Sequence, residues 1–251
     1  MRYFIQLSYN GGSFCGWQRQ PNAPSVQQTL EETLAKVLRT EVPVTGAGRT
    51  DTGVHARRMY AHFDVDDLRL PADRLAYSLN TMCGRDIAVQ RIFPVADDLH
   101  ARFSATARTY RYFVHFAKDP FLQGLSWQAP FRLDADAMNQ AADILLHTSD
   151  FTSFAKLHTD TRSNICHVSR ALWTPALTPM GAPALVFEIT ADRFLRNMVR
   201  AVVGTLVEVG RGKLDLEGFR RVIEAKNRCA AANSMPAHAL YLWDVSYGDS
   251  L

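Results

Sequence analysis

The chain has 251 residues, 47% hydrophobic and 21% charged, an ordinary globular composition long enough for one large domain or two lobes. A net charge of +3 excludes a supercharged nucleic-acid tail, although 23 arginines against 5 lysines is a balance suited to phosphate contacts and base stacking. Arginine-favouring codon usage accounts for the same numbers. No stretch of about twenty apolar residues occurs, which excludes a transmembrane helix.

In chain order, residues 3 to 9 alternate Tyr3, Ile5, Leu7 and Tyr9 against Phe4, Gln6 and Ser8, the period of a strand. This start is too short an apolar run for a signal peptide. A loop, NGGSFCGWQRQPNAP, follows, and Ser25 with Gln28 three residues on has the pattern of a capping box. Val26, Leu30, Leu34, Val37 and Leu38 then recur at helical spacing. A short strand is expected at Val42–Thr45, a longer one through Met59, Ala61, Phe63 and Val65, a helix over 71–82, and a strand in DIAVQRIFPV. In the second half, Tyr110, Tyr112, Val114 and Phe116 alternate as a strand. A helix is expected over about 134–147, with strands near 168–173 and 184–191. A long helix is expected to open behind Asp192, its apolar stripe running through Leu195, Met198, Val199, Val202, Val203 and Leu206. A shorter helix near 215–226 and a strand over Leu240–Tyr247 complete the chain. Each half thus mixes strands and helices in the manner of a split β-α-β unit, and the division is placed at residues 1–103 and 104–251.

Chemistry concentrates in GAGRTDTGVHA, residues 46–56. Its glycines allow a tight turn or a close approach to a ligand. Arg49 and Asp51 are two apart, so in an extended segment they point the same way, and a guanidinium there holds a carboxylate ionised. By spacing alone the stretch reads first as a Gly/Thr/Asp turn with no chemistry. It lacks the third glycine of a dinucleotide fingerprint, and Asp51 with His55 has no convincing third metal ligand nearby. The four cysteines form no C-x-x-C pair, so a zinc ribbon is not expected and reduced thiols in a cytoplasm are. In the loop 11–20, Phe14, Trp17 and Arg19 suit either RNA contact or, for the two aromatics, anchoring in the core. Arg193, Arg196 and Arg200 stand at i, i+3 and i+7 of the expected long helix.

GRTDTGVHA, together with YNGGSFCGWQRQP, RTYRY, SFAK, FLRNMVRAVVGTLVEVGRG and PAHALYL in that order along the chain, resembles the tRNA pseudouridine synthase A family over essentially the whole sequence. The resemblance implies the pseudouridine synthase α/β fold, two lobes with mixed or antiparallel sheets and flanking helices around an active-site cleft. It implies a cofactor-independent, metal-free isomerase that converts uridine to pseudouridine at positions 38, 39 and 40 of the tRNA anticodon stem-loop, working as a homodimer. It makes Asp51 the catalytic carboxylate, sets Tyr110 against the target uracil, pairs Arg200 with Asp51, and gives Arg49 a part in RNA and base handling. Arg57 and Arg58, with Arg102, Arg108 and Arg111, cluster around the motifs as candidates for phosphate contact. The family pattern ends P-A-x-G-L, whereas Ala239 stands here in place of the glycine. The rival readings are an inactive RNA-binding or RNA-chaperone module and, more distantly, a metal-dependent hydrolase on Asp51 and His55.

Overall fold

The structure, a computed structural model, describes residues 1–156 and 163–251. It divides into two compact units: Met1–Thr106 with Tyr241–Leu251, and Ala107–Leu240. Both mix strands with helices, the α/β architecture expected from the sequence.

In the first unit, β1 (Arg2–Tyr9) lies between β3 (His55–Asp64) and β4 (Ile87–Val95), antiparallel to both. The short β2 (Thr45–Gly46) adds to β3, and the chain's last strand, Leu240–Ser246, runs parallel to it on the His55↔Tyr241 and Ala56↔Leu242 pairs. Two helices, α1 (Val26–Leu38) and α2 (Ala72–Met82), pack on each other, and α2 packs against β4. The stripe expected for α1 is buried at Val26, Leu30, Leu34 and Leu38. Ser25 caps it, its Oγ accepting the Gln28 N–H at 3.2 Å. The reciprocal half of the capping box does not form, since the Gln28 side chain donates to Glu32 instead.

In the second unit, β5 (Ala107–His115) pairs with the two-residue β6 (Trp127–Gln128) and, antiparallel, with β8 (Pro183–Ala191), and β8 pairs with β7 (Val168–Leu177). Helix α3 (Ala135–Leu146) covers β7 and packs on α4 (Met198–Gly210), which with α5 (Leu216–Glu224) completes this unit. Asp134 and Asp215 cap α3 and α5 through their carboxylates. The strand Leu240–Ser246 introduced above is β9.

The long helix departs from expectation at its start. It begins at Met198, behind Asn197 in a left-handed conformation at φ 66°, five residues later than Asp192 would have set it. The Asp192 carboxylate instead accepts the backbone N–H groups of His167 (2.8 Å) and Arg193 (2.7 Å), fixing a corner after β8. Leu195 is buried like Met198 and Val199, so the apolar spacing continues across a turn that is not helical. Arg193 and Arg196 therefore precede α4, and the expected three-arginine stripe does not exist.

Candidate active site

Asp51 sits on the connection between β2 and β3, and local chemistry dictates its shape. The Asp51 carbonyl accepts the Val54 N–H at 3.1 Å, closing a four-residue turn. Gly53, at the third position of that turn, has φ 79°, where a side chain would be strained. The 11–17 loop lies over this turn. Trp17 N–H donates to the Thr50 carbonyl (3.4 Å), Gly53 N–H to the Phe14 carbonyl (3.3 Å), and Gly11 N–H to His55 Nδ1 (3.0 Å). Gly16, at φ 88°, passes so near that a Cβ there would fall 2.3 Å from the Thr50 oxygen. Phe14 and Trp17 are 8% and 2% exposed, so they anchor the loop in the core and are not presented to RNA. Pinned on one side by this loop and on the other by β3, Asp51 is half-buried.

His55, a candidate metal ligand in the sequence, is a framework residue. It is buried, its Nδ1 accepts from Gly11, and its ring stacks on Tyr241 at 4.5 Å. Among the described residues no group of three or more His, Cys, Asp or Glu side chains is arranged to hold a metal ion.

The arginines of this unit divide by partner. Arg49 is exposed, and its Nε donates to Gln18 Oε1 at 3.2 Å, tying the Asp51 turn to the neighbouring loop. Arg57, also exposed, lies over the Trp243 ring at 4.8 Å. Arg58 forms an ion pair with Asp244, reaching both carboxylate oxygens at 3.2 Å. Arg102 covers the exposed ring of Phe103 at 5.5 Å.

The second unit carries Tyr110 and Arg200. Tyr110 lies on β5 opposite Ile189 of β8, half-buried, with the Phe194 ring edge-on to it at 5.0 Å. Two residues on, Tyr112 is wholly buried, donates to the Pro236 carbonyl at 3.2 Å, and has its phenol pushed far above the ordinary range by burial. Sequence alternation gives the two tyrosines the same face; burial assigns Tyr112 to the core and leaves Tyr110 partly open.

Arg200, in the first turn of α4, is held by the segment 228–236. Its Nε donates to the Met235 carbonyl (2.6 Å), and Met235 N–H returns to the Arg200 carbonyl (3.1 Å). That segment is itself laced down. Arg228 donates to the carbonyls of Ala231 and Ala232 and to Ser234 Oγ, which also accepts from Asn197 at 2.6 Å. Periodicity and motif spacing carry no signal for this strap, because its bonds run between side chains and irregular backbone. Of the remaining arginines, Arg108 donates to the Asp192 carbonyl (2.9 Å), while Arg111 and Arg170 grip the two oxygens of Glu188 at 2.6 and 2.5 Å. Ala239, where the resembled pattern has glycine, is buried in a short 3₁₀ turn.

The family model described as tRNA pseudouridine synthase matches residues 7–104 and 141–248. Among curated relatives, the chain is 55% identical over 250 residues to the tRNA pseudouridine synthase A of Parabacteroides distasonis, covering 100% of this chain and 97% of that protein. It is 52% identical over 251 residues to the protein of that name from Porphyromonas gingivalis, covering 100% and 98%. It is likewise 52% identical over 250 residues to that from Bacteroides thetaiotaomicron, covering 100% and 92%.

Proposed function

The chain belongs to the tRNA pseudouridine synthase family, isomerases acting on tRNA, and from that premise we propose that it converts uridine to pseudouridine at positions 38, 39 and 40 of the anticodon stem-loop, with Asp51 as the catalytic carboxylate. The observation that carries the Asp51 assignment is its setting. A half-buried carboxylate stands on a turn whose backbone is fixed from both sides, the preorganisation that a group acting on a reacting atom requires.

The reaction breaks the C1′–N1 glycosidic bond, turns the uracil and rejoins it through C5. Neither C1′ nor the base faces are reachable inside a stacked stem, so the target nucleotide is extruded first. Asp51 then acts on the ribose, as nucleophile at C1′ or as base toward a sugar proton, while the uracil departs. The family resemblance assigns Arg200 a part in the same reaction. Tyr110, partly open and backed by Phe194, holds the freed uracil by stacking and takes part in the loss of the C5 proton. Arg49 and Arg57, both exposed, meet the RNA, and Arg58 joins them by exchanging its Asp244 partner for phosphate. No cofactor or metal takes part, the enzyme works as a homodimer, and its compartment is the cytoplasm. Among the described residues no helix is long and apolar enough to cross a membrane.

The test uses unmodified tRNA carrying tritium at uridine C5, incubated with the protein in the presence of chelator. Release from the parent protein and none from Asp51→Ala is the expected result. Release that survives in Asp51→Ala overturns the catalytic assignment. Products mapped outside positions 38–40 overturn the site.

A further inference from the structure

We infer that Tyr9 and Thr50 are positioning residues for Asp51, two hydroxyls forming a latch that sets the direction of the catalytic carboxylate. The inference rests on the assignment of Asp51 proposed above.

Tyr9 ends β1 just past an irregularity in its pairing with β3, where the register shifts between Leu7 and Tyr9. Such a shift re-aims a side chain, and here the phenol oxygen comes to 2.8 Å from Thr50 Oγ1. Thr50 immediately precedes Asp51 and is held twice. Its carbonyl accepts the Trp17 N–H and its hydroxyl meets Tyr9. A β-branched residue has few χ1 choices, so fixing the hydroxyl also restrains the backbone carrying it. The direction of the Asp51 Cα–Cβ bond follows from that backbone.

Packing alone does not call for these hydroxyls. Tyr9 is 4% exposed and its ring lies 6.2 Å from the buried Trp17, an environment that phenylalanine fills equally well. What the oxygen adds is direction, supplied from a sheet strand 41 residues away in sequence. Sites supported by rigid elements hold tighter geometry than sites supported by loops.

The experiment compares Tyr9→Phe, Thr50→Val, the double variant, Thr50→Ser and Asp51→Ala by tritium release, with kcat and KM separated and the thermal midpoint recorded. Tyr9→Phe and Thr50→Val are expected to lose between about tenfold and 10²-fold in kcat, the larger figure matching a misplacement of roughly 1 Å. KM and the thermal midpoint change little, Thr50→Ser restores the rate, and the double variant is no worse than either single one. Unchanged kcat in both single variants, losses that multiply in the double, or a loss confined to KM overturns the latch while leaving Asp51 in place. A rate loss that merely follows a fallen thermal midpoint does the same. Full activity in Asp51→Ala removes the premise instead and is recognised by that variant alone.

Discussion

Gly16→Ala is the most searching single substitution for the way the Asp51 turn is held. At φ 88° the alanine occupies backbone space that side chains rarely adopt, at a cost of about 1–3 kcal/mol. Its Cβ would also lie 2.3 Å from the Thr50 carbonyl oxygen and 3.2 Å from the Asp51 carbonyl carbon, both main-chain atoms that no rotamer change can move aside. Restoring ordinary contact at 3.4 Å displaces one loop from the other by roughly 1 Å. That displacement breaks the 3.4 Å bond from Trp17 to Thr50 and shifts Asp51 with it. Strain and overpacking together amount to roughly 2–6 kcal/mol, a fall of about 4–24 °C in thermal midpoint for a chain of this length. Turnover is expected to drop about 10²-fold beyond any loss of folded protein. Gly48→Ala is the matched control, because a Cβ there meets nothing within 4 Å and its φ is ordinary. The assay is tritium release at a temperature where both variants are folded, beside a thermal melt. Gly16→Ala with parental turnover and midpoint would refute the claim that the 11–17 loop fixes the turn.

Trp17→Ala is expected to cost about 3–5 kcal/mol in urea denaturation, whereas Trp17→Phe leaves the KM for tRNA unchanged, since the indole is a core group. His62 is buried, its Nδ1 accepts the Ala101 N–H, and burial beside Arg2 and His100 lowers its pKa from 6.5 to about 4. Folding therefore favours the neutral ring. Its contribution is intact above pH 6.5 and is lost as pH falls toward about 4, a loss on the order of 3 kcal/mol that His62→Asn, which keeps an acceptor but cannot titrate, should flatten in urea melts across that range. Binding of tRNA is expected to weaken steeply as salt rises, and Arg49→Ala to reduce the log–log slope by about one; a slope that does not change removes Arg49 from the phosphate contacts.

Much of this architecture was legible because regular elements repeat a physical signal. The α1 stripe, the Ser25 cap and the alternation of β1 each satisfy packing and backbone bonding at once, and sequence spacing reports both. The start of α4 misled because Leu195 and Met198 keep helical spacing while the chain between them turns through Asn197 in a left-handed conformation. Spacing registers which side chains are buried, and it is blind to a sign change in φ. Phe14 and Trp17 stayed ambiguous for a related reason: a loop has no period, so composition alone could not separate a core anchor from an RNA contact. Tyr110 and Tyr112 are alternation-equivalent, and only burial distinguishes them. Asp51 itself was marked by motif resemblance, while the bonds that hold its turn join positions such as Gly11 and His55 that are distant along the chain.

Trp17 also gives the molecule an optical readout. Its indole is 2% exposed, a Cβ on Gly46 would lie 2.4 Å from it, and its main-chain N–H bonds to the residue before Asp51. Any opening of the 11–17 loop must wet that indole and shift its emission to the red. With Trp127, Trp173 and Trp243 replaced by phenylalanine, stopped-flow fluorescence of a single native chromophore would time the movement of this loop as tRNA arrives, with no label attached near the Asp51 turn.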